Sequence, residues 1–559
     1  MNYLLDVNFI LDAITDRSEN KRICFLVLED CIKNGNAYIS SSSVHNLRFI
    51  IKKHYGKFFD KYLILEKTLK IAKTPSYIDF DEELAKKDIE DYLLELSAES
   101  IDAKIITNDK LFLEHSKRAI SPIDYILENL GSNKKPNIDF ANLKKQYFLY
   151  YNEFEKELDK VLNSARYIMG PQIEELENNL CEFTGAKHAI ACGSGTDALL
   201  LTLMAIDIKP GDEIITTPFT FIATAETIAL LGAKPVFVDI DEKTYNIDVN
   251  KIEEKITDKT KAIIAVSLFG QPCDLDELNS LIHPSTHQPV NSSTHHPIYL
   301  IVDGAQSFGA TYKGKAEVHY CDIYTTSFFP AKPLGCFGDG GAVLTNNDEL
   351  AEKIKMLRIH GQNEKYHHKY IGLNARMDTL QAAVLNVKLK HYKEDLQKRQ
   401  QVAEKYNKLL VTVNSDSGKE SADTSHYKLS LVLPKVKPDR TSVWAQYSVR
   451  VVSDSENKVT VNSESENIRD RLIKKLSNNT HNHTHSHTKI PTAIHYPMPL
   501  HLQECFEYLG YKKGNFPVAE KVSKEILSLP MNPYLANEEI KYIVDKIIKT
   551  LNNIHMEEQ

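Results

Sequence analysis

A lysine and an aspartate 29 residues apart are the pair in this sequence best suited to covalent chemistry. Lys332 stands in Phe328-Phe329-Pro330-Ala331-Lys332-Pro333-Leu334-Gly335, among apolar and glycine residues. Desolvation there would disfavour its charged form and suit an amine that forms a Schiff base. The ordinary fate of a lysine is a snorkelling side chain at the surface. Asp303 ends the apolar run Ile298-Tyr299-Leu300-Ile301-Val302. A run of this kind reads as a buried parallel strand, and ligands of open α/β sheets sit beyond the carboxyl ends of the strands. A carboxylate in that place could keep a pyridine nitrogen protonated; it could equally cap a helix. The third piece, Cys192-Gly193-Ser194-Gly195-Thr196-Asp197, follows the apolar stretch 189–191. A glycine-containing turn from strand to helix exposes backbone N–H groups and makes a phosphate cradle, although a plain strand–helix turn fits as well.

These residues need a large α/β scaffold, and the chain has room for one. Its 559 residues predict three or four domains, and 42% hydrophobic with 26% charged residues is ordinary for a globular protein. Apolar stretches at 189–191, 213–216, 235–239, 262–266 and 298–302 alternate with helical segments, as in a mostly parallel sheet. A smaller block, 1–130, shows the same alternation on a shorter scale. The polar hinge 131–137 separates it from a large domain, 138–370, and a C-terminal part, 371–559. Four Ser/Thr/Asn/His-rich islands at 283–297, 414–426, 453–467 and 477–488 are expected to be surface loops, because they hold too little apolar surface to order themselves. The last carries His481, His483, His485 and His487; a solvated tract is a better reading of it than a loose metal site.

The net charge of −8 provides no global basic field for a nucleic-acid backbone. The eight cysteines show no CxxC pair or zinc spacing, which fits buried thiols in a reducing compartment. The N-terminal stretch lacks a basic region, and Asp6 and Asp12 interrupt its apolar run. No apolar stretch is long enough to cross a membrane. A cytoplasmic protein is expected.

The segment from about Asp139 to Ile547 resembles the DegT/DnrJ/StrS sugar-nucleotide aminotransferases. The likeness runs through the three pieces above and through Ile168-Met169-Gly170-Pro171, Gly211-Asp212-Glu213, Pro218-Phe219-Thr220-Phe221-Ile222, Arg358-Ile359-His360-Gly361 and Gly372-Leu373-Asn374-Ala375-Arg376-Met377. It implies a fold-type-I transferase dependent on pyridoxal 5′-phosphate, with a large mixed, mostly parallel sheet domain and a small C-terminal α/β domain. By the same likeness Lys332 is the Schiff-base lysine, Asp303 the partner of the ring nitrogen and Gln306 the neighbour of the ring hydroxyl. Gly195, Thr196 and Ser327 are implied phosphate contacts, and Phe221 the stacking aromatic. Asn374 is implied to reach the phosphate of the other subunit, so a homodimer with shared sites is expected. Some relatives carry histidine at the Schiff-base position and act as dehydratases; lysine here favours transamination. Thr326-Ser327-Phe328-Phe329-Pro330, Ala445-Gln446-Tyr447 and Pro491-Thr492-Ala493-Ile494-His495-Tyr496-Pro497 resemble the enzymes acting on UDP-2-acetamido-2-deoxy-3-oxo-glucuronate. That narrower likeness implies that Arg376 and His495 contact the sugar acid, and a guanidinium does suit a carboxylate. Glutamate is the expected donor and a UDP-sugar the acceptor.

Residues 1–127 resemble PIN domains, small α/β metal-dependent ribonucleases, through Tyr3-Leu4-Leu5-Asp6-Val7-Asn8, Ile39-Ser40-Ser41-Ser42 and Ile105-Ile106-Thr107-Asn108-Asp109. Asp6, Asp91 and Asp109 are then candidates to hold Mg²⁺. Asn46 stands where many such domains have a glutamate, which weakens the site. An RNA-cleaving or RNA-binding protein is accordingly the second reading of the chain, with RNA a partner only if this block is active.

Overall fold

The computed structural model describes residues 2–14, 21–33, 37–40, 70–72, 98, 103–107, 113, 118–122, 138–282, 297–416, 429–453, 467–477 and 489–558. The polar hinge, Asn46 and most of the four islands fall outside this set. The backbone divides into two units: 1–137 with 144–152, and 138–143 with 153–559.

In the first unit the described strands are β1 (Asn2–Leu5), β2 (Ala37–Ser40), β3 (Lys70–Ala72), β4 (Ala103–Ile106) and β5 (Ala119–Ile120). They form a parallel sheet of order β3-β2-β1-β4-β5. Helices Val7–Ile14 and Lys21–Lys33 bury Phe9, Ile10, Ile23 and Val27 against Tyr3, Leu5 and Ile106.

The second unit is built on β6 (His188–Cys192), β7 (Glu213–Thr216), β8 (Lys234–Phe237), β9 (Thr260–Val266), β10 (Tyr299–Asp303), β13 (Ile323–Ser327) and β14 (Gly341–Thr345). Among the described residues they make one sheet of order β6-β14-β13-β10-β9-β7-β8, in which β14 alone runs against the others. Side chains on a strand alternate between the two faces, and here both faces are covered. Ala189, Ala191, Ile263, Ala265, Leu300 and Val302 enter the core beneath helices Pro171–Thr184 and Leu275–Ile282. Ile190, Cys192, Ala262, Ile264 and Ile301 enter the cores of the opposite face. Burial on two faces is why these strands read as unbroken apolar runs.

Between β10 and β13 the chain makes the small hairpin β11 (Thr311–Tyr312) and β12 (Lys315–Ala316) and a short 3₁₀ turn, Glu317–Tyr320. A second hairpin, β15 (Gln362–Glu364) and β16 (His367–His368), precedes the long helix Thr379–Asp416. That helix joins two cores. Ala382, Leu385, Leu389 and Tyr392 pack under the large sheet, whereas Val402, Ala403, Tyr406 and Leu410 belong to the core of an antiparallel sheet of β17 (Leu429–Val432), β18 (Tyr447–Ser453) and β19 (Ile526–Leu529). The helix runs to Asp416 and so enters the stretch expected to be a loop from residue 414. The C-terminal part does not form a single core either: Leu500, Phe506, Phe516 and Ala519 pack against Phe219, Phe237 and Phe269 beside the large sheet. No described helix is long and apolar enough to cross a membrane.

Candidate active site

A cavity of about 530 Å³ opens at the carboxyl ends of the central strands, and the three pieces of sequence that could do chemistry meet on its wall. The first supplies the start of helix Gly195–Ala205. Ser194 is extended (φ −163°) and its Oγ accepts from the Asp197 N–H at 3.0 Å, capping the helix. First-turn N–H groups have no acceptor within a helix, so those of Gly195 and Thr196 are presented at the cavity they line. Position 195 has to be glycine: a Cβ there would lie 2.7 Å from the Ser327 Cβ.

Asp303 ends β10 in the middle of the sheet, and only 5% of it is exposed. Thr224 Oγ1 donates to its Oδ2 at 2.8 Å and the Ala305 N–H to its Oδ1 at 3.2 Å. Burial pushes its carboxyl above the usual range, against these two hydrogen bonds and the charge of Lys332. Lys332 follows β13 on a turn closed by its own N–H to the Phe329 carbonyl, 2.8 Å, and by Cys336 N–H to the Phe328 carbonyl, 2.7 Å. The buried Lys388 ammonium donates to the Gly335 carbonyl at 2.6 Å and fixes the same turn from behind. Burial lowers the Lys332 amine below its ordinary value, and Asp303 opposes that shift. The aspartate and the lysine thus share one cavity and feel each other's charge.

Gln306 is held at both ends of its amide. Its Oε1 accepts from the Phe269 N–H at 2.7 Å, and its Nε2 donates to the Tyr496 hydroxyl at 3.1 Å. Phe221, 56% exposed, faces the cavity with its ring 6.4 Å from that of Tyr496. Ser327 also lines the wall. His495 lines it from the C-terminal part, sharing a 2.9 Å hydrogen bond through Nδ1 with Ser528 Oγ. Burial, helped by the charge of Lys332, pushes His495 down to about 4, so the ring is neutral near neutral pH.

Two expected site residues are not on this wall. Asn374 is exposed and its backbone bridges to Ile359. Arg376 is half-buried, with Nε enclosed and without a hydrogen-bond partner. Conversely, Thr220, Thr224, Asp339, Gln446 and Tyr496 line the cavity without having been assigned a role. Thr220, ahead of helix Ala223–Leu230, and Thr224, in its first turn, bring their hydroxyls 3.1 Å apart. The Tyr496 contact joins residues 190 positions apart and had no local signal.

In the first unit Asp6 directly follows β1, and its Oδ2 accepts from the Thr107 hydroxyl at 2.8 Å. Asp91 and Asp109 lie outside the described residues, and among those described no group of three or more His, Cys, Asp or Glu is placed to hold a metal ion. The metal-dependent nuclease reading gains no support from these positions.

The model of the DegT/DnrJ/EryC1/StrS aminotransferase family matches residues 150–548. The chain belongs to this family. It is 41% identical over 406 residues to UDP-2-acetamido-2-deoxy-3-oxo-D-glucuronate aminotransferase of Pseudomonas aeruginosa, covering 73% of this chain and 98% of the relative. Among solved structures it superposes on S. venezuelae DesV in complex with a ketimine intermediate, with a TM-score of 0.63, 32% identity, and 75% of this chain and 99% of that one covered. It also superposes on NtdA of Bacillus subtilis with bound pyridoxamine phosphate, at a TM-score of 0.62, 25% identity, and 83% and 98% coverage.

The residues present fit pyridoxal phosphate, on which this aminotransferase family depends. A helix N-terminus beside Ser327 suits a phosphate, a buried acid suits a ring nitrogen, and an amine of lowered basicity suits an aldehyde.

Proposed function

We propose that the protein transfers an amino group from glutamate to the keto group of a UDP-linked sugar, with UDP-2-acetamido-2-deoxy-3-oxo-glucuronate as the acceptor. The single observation that carries the reading is the shared cavity of Lys332 and Asp303. The 41% identical relative supports the choice of sugar. On this reading the protein is a cytoplasmic homodimer serving cell-surface polysaccharide synthesis, and exposed Asn374 faces the partner's site.

Pyridoxal phosphate supplies the aldehyde that takes up the amino group and a ring that spreads negative charge. The protein's own groups do the rest. The Lys332 amine, made less basic by burial, would serve as the general base that takes up the α-proton of glutamate and gives it back during the transfer. Asp303 would hold the proton on the ring nitrogen, and its two hydrogen bonds favour the ionised carboxyl against burial. Gln306, fixed by Phe269 and Tyr496, would orient the ring edge. Neutral His495 can accept or donate a hydrogen bond to the sugar without adding charge beside Lys332. Phe221, on the cavity wall, would cover a ring face and keep water from it.

Purified protein reconstituted with pyridoxal phosphate should show the visible absorbance of a lysine-bound cofactor, bleached by glutamate and restored by the UDP-keto sugar. Lys332→Ala should lose both the absorbance and turnover while keeping its melting temperature. Turnover retained in that variant removes the assignment of Lys332. An acceptor lacking the carboxylate, used as well as the sugar acid, removes the choice of substrate.

A further inference from the structure

Behind the Asp303 turn, away from the cavity wall, sits a carboxyl group that the transfer of the amino group does not use. Glu317 opens the 3₁₀ turn after β12 and is 2% exposed. Its Oε1 takes the hydroxyl of Ser267 and its Oε2 the hydroxyl of Ser307. These serines lie on two different connections. Ser267 follows β9, and its N–H donates to the Asp303 carbonyl at 3.1 Å. Two residues later the Phe269 N–H holds Gln306. Ser307 follows Gln306 directly, and its N–H donates to the Gly304 carbonyl at 3.0 Å. One carboxylate therefore ties together the two turns that present Asp303 and Gln306.

We propose that Glu317 is a positioning residue for the cofactor site, acting as an anion that gathers the Ser267 and Ser307 hydroxyls and so fixes the turns carrying Asp303 and Gln306. The inference rests on the cofactor reading above. Only the ionised carboxylate accepts from both serines; the neutral acid must donate one proton, and one serine must turn its hydroxyl elsewhere. Tyr324, 3.3 Å from Ser307 Oγ, and Cys273, whose N–H donates to Ser267 Oγ at 3.3 Å, are next to the redirected hydroxyls.

Other ionisable groups surround Glu317. Burial pushes Cys273, Cys321 and Tyr324 up, so they stay neutral. Arg440 reaches Glu317 through its field and favours the anion, while its NH1 is engaged by the Pro272 and Cys273 carbonyls at 2.9 Å. His319, on the same turn, directs its ring to the Thr184 carbonyl at 3.0 Å. Burial pushes Glu317 up to about 7, against both serine hydrogen bonds. The anion that holds the turns thus forms as pH rises through neutrality.

The test compares wild type, Glu317→Gln and Ser307→Ala, titrating each with pyridoxal phosphate and reading the visible absorbance of the bound cofactor at several pH values. Glutamine copies the shape of the neutral acid. At about pH 8.5 the Gln variant should bind the cofactor about tenfold more weakly than wild type, the worth of about one hydrogen bond. At about pH 5.5 the ratio should approach one, because wild type is then neutral at this position. Ser307→Ala should weaken binding in the same direction at high pH. Melting temperatures provide a second reading. A carboxyl with a raised pKa favours the folded chain at low pH and loses that contribution as pH rises through about 7, so Glu317→Gln should gain stability relative to wild type over the same window. A binding ratio that does not change with pH overturns the role of Glu317 while wild-type binding leaves the cofactor reading standing. Failure of wild type to bind pyridoxal phosphate overturns both.

Discussion

At the scale of single residues the site is a balance between burial and hydrogen bonding. Asp303 has to be ionised, yet it is among the least exposed acids of the described residues. Burial raises its pKa, and the Thr224 hydroxyl is the larger of the two hydrogen bonds opposing that rise. Replacing Thr224 by valine keeps the shape and removes the donor. The carboxyl then rises further, and the ionised form is lost at higher pH on acidification. The acid limb of the kcat/KM profile should therefore move up by about one pH unit. A limb that stays in place would show that Thr224 does not hold the charge. His495 moves the other way from Asp303: burial keeps it neutral down to about 4, and burial also lowers the Lys332 amine below its ordinary value.

At the scale of elements, what matters is how closely backbones approach. The start of helix Gly195–Ala205 comes against Ser327 at the end of β13 and against Gly341 at the start of β14, where a Cβ would lie 2.3 Å from the Ser194 carbonyl oxygen. Gly195→Ala forces apart the two walls expected to hold a phosphate. Overpacking of this kind costs about 1–3 kcal/mol. Cofactor affinity should fall by about tenfold or more, read by titration with pyridoxal phosphate, while circular dichroism still reports a folded chain. Unchanged affinity would mean that the cradle lies elsewhere.

At the scale of the whole molecule, Asn374 raises the question of what completes the site. It is exposed and absent from the wall of its own chain's cavity. If it serves the partner, Lys332→Ala and Asn374→Ala should each be inactive as homodimers. Co-expressed and purified as a mixed dimer, they should regain part of the activity, because one site then holds both native residues. No recovery in a verified mixed dimer would place Asn374 outside catalysis.

The sequence alone determined the local features. Unbroken apolar runs announced strands covered on both faces, and the order of glycine turn, Asp303 and Lys332 announced the family chemistry, because a strand end and a strand–helix turn are set by neighbouring residues. The polar contacts among distant parts were not legible there. Tyr496 reaching Gln306, Lys388 reaching Gly335 and Glu317 joining two serines are pairings of residues between 10 and 190 positions apart. A buried acid, amide or phenol has the same letter as a solvated one. Which of them is dehydrated, and which partner then satisfies it, is decided only when tertiary packing excludes water and brings the turns together.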